Sequence, residues 1–239
     1  MKLTALVLSC LLLLSPSARA DNAATFNAML ALATKGDAEA QYHAGMMYNN
    51  GIGTKQDPEQ AFQWFQKSAV ANDPLGAYKL GCYYAGQFPG VVKTSPEKAL
   101  KYKLIAAWAG YSLAQHDVAV HYAEAGNFEE AVKWLTFAAA QGFDQSLFGL
   151  SRLYYTGAGT PRDDAVAYAY LKLALEVSGA ETSSRMQAAL DDMIANMDSA
   201  ERAKSERMVS EWKPQPTALT IEAGRGLEAA EEHVLDALD

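Results

Sequence analysis

Ser95-Pro96-Glu97-Lys98 places a hydroxyl three residues ahead of an amine, the spacing of serine acyl-enzyme chemistry. No Ser-Asp-Asn or Lys-Thr-Gly follows to complete such a site, and a serine directly before Pro96 fits the N-cap of a helix. His116-Asp117 and His121 could suggest a metal. Five residues of helix, however, turn the two imidazoles to different faces, where a zinc pair would stand four apart. His43 and His233 have no evident partners in the sequence. Gly51-x-Gly53 and Gly157-x-Gly159 follow helical segments instead of opening helices after strands, so they are not phosphate cradles. The residues that could do chemistry therefore compose no catalytic, metal or cofactor set, and the expectation is a protein that is not an enzyme.

The N-terminus has Lys2, an apolar run from Leu3 to Leu14, and Ala18-Arg19-Ala20. That is the layout of a secretory signal peptide over residues 1–20, cleaved after Ala20. An uncleaved anchor, a buried helix and lipoprotein processing at Cys10 are the alternatives. No later stretch is apolar enough to span a bilayer, so membrane insertion is not expected after cleavage. The net charge of −8 grows more negative once Lys2 and Arg19 leave with the leader, which disfavours nucleic acid as a partner. Of the two cysteines only Cys82 would remain, so the fold must rest on packing and not on a disulfide. Cys82 itself reads as a small apolar filler.

Four segments share one spacing. Counted from Tyr48, glycines stand at +3 and +5 (Gly51, Gly53), Asp57 at +9, Ala61 at +13 and Trp64 at +16. Counted from Tyr154, Gly157, Gly159, Asp163, Ala167 and Tyr170 repeat the pattern. A second unit carries Gly81, Tyr84, Ser95, Ala99 and Tyr102. A third carries Ala119, Tyr122, Ala131 and Trp134 without the paired glycines. Each unit has the three- and four-residue apolar spacing of two amphipathic helices. Small residues (Gly45, Gly81, Ala119) on the first helix admit the second, and Ala61, Ala99, Ala131 and Ala167 answer from the other side. The large aromatics fill the space between neighbouring repeats. No unit can bury its apolar face alone, so the units must stack.

The spacing predicts an N-terminal capping helix over 21–36 with Phe26, Met29, Leu30 and Ala33 turned to the first repeat. Repeats follow at about 37–72, 73–110, 111–142 and 143–178, and capping helices at 179–213. Asp198-Ser199-Ala200-Glu201 fits a capping box. Residues 214–239 hold Leu227, Val234, Leu235 and Leu238 among carboxylates. They read first as a frayed acidic tail, with a short helix docking on the array or on a partner as the alternative.

The Gly-x-x-Tyr-x-x-Gly-x-Gly string with its following Asp, Ala and Trp resembles the Sel-1-like repeat family, a branch of the tetratricopeptide-type solenoids. The likeness covers roughly residues 37–178, and the third unit departs toward an ordinary tetratricopeptide unit. It implies an all-α, right-handed solenoid of helix-turn-helix repeats with capping helices at both ends, whose first helices line a concave face. Carried over by position, that face holds Tyr42, Tyr78, His116 and Phe148 as a ladder. Met46, Cys82, Val120 and Arg152 stand beside it, and Asn49, Asn50, Tyr155 and Thr156 one turn on. The ladder has two readings, a partner-binding surface and packing between adjacent first helices. The family implies adaptor work on a protein partner without cofactors. Export places it in the bacterial envelope, periplasmic or secreted, and the capped ends suggest a monomer. The alternative is a binder or hydrolase of cell-wall fragments or β-lactams, known from cysteine-rich relatives whose paired cysteines this chain lacks.

Overall fold

A computed structural model of the chain describes residues 16–179 and 184–237. The expected leader falls mostly on residues 1–15, outside the described residues, as does Cys10. Every regular element among the described residues is an α-helix. The first, α1 (Pro16–Thr34), is followed by four antiparallel pairs. These are α2 (Ala38–Asn50) with α3 (Pro58–Val70), α4 (Pro74–Tyr84) with α5 (Pro96–Trp108), α6 (Ser112–Glu124) with α7 (Phe128–Ala140), and α8 (Asp144–Thr156) with α9 (Asp164–Ser178). Each helix packs on its pair partner and on the helix before it, and α2 also touches α4, so the pairs stack into an all-α solenoid. Then come α10 (Ser184–Ala195) and α11 (Ser199–Glu211), both on α9, and the short α12 (Ala218–Arg225) and α13 (Leu227–Asp236).

Local chemistry sets these boundaries. Asp37, Asp57, Asp73, Ser95, Asn127 and Asp163 each accept a backbone N–H near the start of the helix that follows, which satisfies a donor that has no partner inside the helix. Ser95 does this through Oγ, 3.3 Å from Lys98 N, so its hydroxyl has a structural task. Asp198 and Glu201 form the reciprocal capping box.

The paired glycines do more than end helices. Gly53 and Gly159 have φ of +69° and +74°, which L side chains rarely adopt. A Cβ on Gly53 would run into the Asn22 carbonyl, and one on Gly159 into the Phe128 carbonyl. The second glycine of each pair is therefore the spot where the start of the preceding helix leans on the loop. That contact makes α1, from Asn22 on, equivalent to the second helix of a repeat. Its Phe26, Met29 and Ala33 are buried against α2.

Residues 214–237 are not a frayed tail. The chain leaves α11 with Trp212 packed in the central core and turns back along the loops that precede the first helices. Gln215 N donates to Ala140 O (2.9 Å). Thr217 N and Thr220 Oγ1 donate to Gln141 Oε1 (3.1 and 2.7 Å), while Gln141 Nε2 donates to Gly110 O and Gln115 Oε1, both at 2.8 Å. Thr220 Oγ1 accepts from Ser112 N. α13 finishes on α1 and α2, with Ala229 and Ala230 buried. This strap spans the array because its apolar residues (Leu219, Ala223, Leu227, Val234) recur on one face and each meets a core cluster.

Candidate functional site

The ladder residues differ in exposure along the array. Tyr42 is 7% exposed and Tyr78 8%, whereas Phe148 is 44% exposed. Tyr42 sits in a core cluster with Phe65 and Leu75, against Leu219 and Ala223 of the strap. The Tyr78 ring meets Tyr111 edge-on at 5.0 Å, and its hydroxyl donates to Asp117 Oδ2 at 3.1 Å. His116 is half-buried against Phe143, with Nδ1 2.9 Å from Ser146 Oγ, and burial pulls its pKa below the ordinary histidine range. At the amino end the ladder is thus largely packing, and at the carboxyl end it is surface.

The remaining expected groove residues divide the same way. Asn49 is 5% exposed. Its carbonyl accepts from Tyr83 and its amide donates to Asn50, so Asn49 belongs to the packing. Met46 and Cys82 line a trough of about 590 Å³ with Tyr42 and Tyr78. His116, Val120, Phe148 and Arg152 line a second trough of about 690 Å³ between repeats 3 and 4. Phe148, Arg152 and Tyr155 continue into a third of about 350 Å³, walled by Met193 of the C-terminal cap. Val120 and Tyr155 are exposed like Phe148. Arg152 is exposed with no carboxylate partner among the described residues, whereas the Arg162 guanidinium stands over the Tyr155 ring and pairs with Asp164.

Sequence reasoning missed the strap's latch. His233 of α13 presents Nε2 to Asp37 (3.1 Å) and Nδ1 to Glu39 (3.4 Å), and its ring lies 6.3 Å from that of buried His43. Nothing in the spacing links residue 233 to residue 37, so no sequence signal could have found the contact. His43, its Nε2 3.7 Å from the Glu39 carboxylate, holds Glu39 below the usual carboxylate range. Burial, with repulsion from Glu39 and Asp73, raises Glu222 of α12, and the two histidines offset part of this. A carboxyl raised by docking favours the docked state while protonated. The Glu222 contribution to strap docking is therefore fully present in acid and is lost as pH rises through its raised value, while the lowered Glu39 beside His233 contributes in the opposite sense at still lower pH. Glu222→Gln is expected to tighten the strap at neutral pH by roughly 0.5–1 kcal/mol, the small scale of a solvent-screened charge. Hydrogen exchange of the α13 amides at pH 5 and 7.5, corrected for intrinsic rates, measures it: protection falls with pH in the parent chain and less in the variant.

The Sel1 repeat family model matches residues 38–73, 74–111, 112–143 and 144–176, each one of the four helical pairs. A sel1-like repeat-containing protein of Acanthamoeba polyphaga mimivirus is 33% identical over 123 residues, 51% of this chain and 22% of that protein. A second from the same virus is 46% identical over 50 residues, 21% of this chain and 8% of that protein. The chain thus spans less than a quarter of these relatives. The crystal structure of a Sel1 repeat protein from Oxalobacter formigenes superposes with a TM-score of 0.63 at 23% identity, covering 81% of this chain and 80% of that one, a likeness of fold.

Proposed function

The chain belongs to the Sel1 repeat family, and from that premise we propose that it is a non-catalytic adaptor of the bacterial envelope that holds a protein segment in the open half of its concave groove. Proteins of this repeat type generally mediate protein–protein interaction. No helix among the described residues is long and apolar enough to cross a membrane; the signal-peptide layout of residues 1–20 supports export, periplasmic or secreted, and the capped ends support a monomer.

One observation carries the groove reading: Phe148, Val120 and Tyr155 remain exposed beside Arg152, which has no carboxylate partner among the described residues, on a face whose other end buries Tyr42 and Tyr78. Exposed aromatics around a cation, walled by small and aliphatic side chains, are the ingredients of an interaction hot spot. The segment that fits carries apolar side chains and a carboxylate for Arg152.

Phe148→Ala with Arg152→Ala is expected to lower affinity for the envelope partner at least tenfold, with the thermal midpoint changed far less than by Tyr42→Ala or Tyr78→Ala, because both side chains are exposed at the surface. Quantitative pull-down of the mature chain from envelope extract, with the double variant alongside, measures it. Equal recovery by both forms overturns the groove reading. A cell-wall binder or hydrolase is the competing function, and saturable turnover of muropeptide or β-lactam would establish it.

A further inference from the structure

The strap lies on the groove's own rows. Tyr42, Met46 and Asn50 stand four residues apart on one face of α2, in the same register as Phe148, Arg152 and Thr156 of α8. In repeat 4 all three residues of that face are exposed. In repeat 1 Tyr42 is buried and Met46 half-buried, with Asn50 exposed at the rim. Ala223, Gly226, Leu227 and Ala230 of the strap line one small cavity of about 80 Å³ with these three residues, and Leu219 and Ala223 pack on the cluster that holds Tyr42. The apolar residues of the strap fall at Leu219, Ala223, Leu227, Ala230 and Val234, in steps of three and four. That is how an amphipathic helix anchors in a groove. The chain therefore already holds a helical segment on one copy of a face that α8 presents open.

The hold of the strap is shallow. α12 buries no residue and α13 only Ala229 and Ala230, whereas each first helix of a repeat buries at least five. Its other fastenings are polar and half-exposed, Thr217 and Thr220 on Gln141 and His233 on Asp37 and Glu39. Such bonds exchange for water at small net cost, and an element with few buried apolar contacts opens before the core does. Residues 213–216, which tie the strap to α11, are exposed. Beside the strap a trough of about 590 Å³ runs on from Tyr42 and Met46 to Tyr78 and Tyr111, with Ala223 in its wall. We propose that the Tyr42–Met46–Asn50 row is a binding site for a short amphipathic helix of a partner protein, and that the strap is its resident occupant, displaced when the partner docks. The strap itself gives the chemistry of that helix: small residues and leucines at steps of three and four against α2, and a polar outer face. The proposal rests on the groove reading and deepens it, by naming a helical ligand and the contact that keeps it out of repeat 1.

The test uses the intact mature chain. The probe is a fluorescein-labelled peptide of residues 214–237, standing in for the partner helix, with a scrambled peptide alongside, and fluorescence anisotropy reads binding. In the parent chain the tethered strap competes at an effective concentration of about 1 mM, so the peptide is expected to bind weakly. Ala230→Asp places a charge in the buried contact of the strap and leaves α2 untouched. It is expected to tighten peptide binding at least tenfold, and Met46→Glu added to it to remove the gain. Should Ala230→Asp lower the melting of the whole array, Thr217→Ala with Thr220→Ala replaces it, taking the strap's hydroxyls from Gly110 and Gln141. Equal affinity of parent and variant overturns the proposal, because the strap then blocks nothing. Equal binding of the scrambled peptide, or a gain that survives Met46→Glu, overturns it too. A dimer of the parent chain that the peptide dissolves makes the occupant a second copy and overturns the partner assignment. If the peptide never binds while partner capture still depends on Phe148 and Arg152, this extension fails and the groove reading stands.

Discussion

Tyr42→Ala and Tyr78→Ala are each expected to destabilise the protein by about 3–4 kcal/mol, the range for truncating a buried aromatic. Both rings stand in cores, Tyr42 against Phe65 and Leu75 and Tyr78 against Tyr111 and Val118. Tyr78 carries a further cost, because its loss removes a donor from Asp117 and leaves that carboxylate to Lys103 alone. Their Cα atoms lie one repeat apart in clusters that share Tyr111, so the double variant is expected to depart from additivity. Urea unfolding followed by far-ultraviolet circular dichroism measures it. Midpoints unchanged within about 0.5 kcal/mol would mean that these rings are surface, and the amino end of the ladder would return to the binding face.

Gly159→Ala is expected to cost about 2–4 kcal/mol, and Gly126→Ala only about 1. Both glycines have positive φ, +74° and +77°, so both alanines bear left-handed backbone strain of order 1 kcal/mol. They differ in surroundings. A Cβ on Gly126 meets nothing within 4 Å, whereas one on Gly159 meets the backbone of Phe128 and Glu129. Backbone cannot turn aside as a side-chain end can, so α7 must shift away from the loop, with the penalty of overpacking. The difference between the two variants isolates the close approach of helix and loop. Equal losses would show that conformation alone selects these glycines.

Particular residues show how far the sequence was legible. Ser95 announced itself as a cap by standing just before Pro96, Asp57 and Asp163 stood out by their equal offsets in the repeat, and the capping box at Asp198 and Glu201 followed from four adjacent residues. The repeat itself was visible because stacking identical units demands identical residues at identical offsets. Gly53 and Gly159 stood out by their equal offsets after a helical segment, but their role in packing depends on which carbonyl leans on them. Gln141 carried no signal at all, although it joins the turns before α6 and α8 to the strap.

The ladder shows the same division at the candidate site. Its four positions are one register of the repeat, so the sequence determined that Tyr42, Tyr78, His116 and Phe148 share a face. It also determined the helical class and the helix caps. Only the tertiary structure decided that the face is packed at one end and open at the other. That outcome depends on residues 217–236 folding back across about two hundred residues of chain to meet α1 and α2. Periodicity encodes contacts between neighbours three, four or some thirty-five residues apart, because those recur. A contact made once, between the two ends of the array, leaves no period to read.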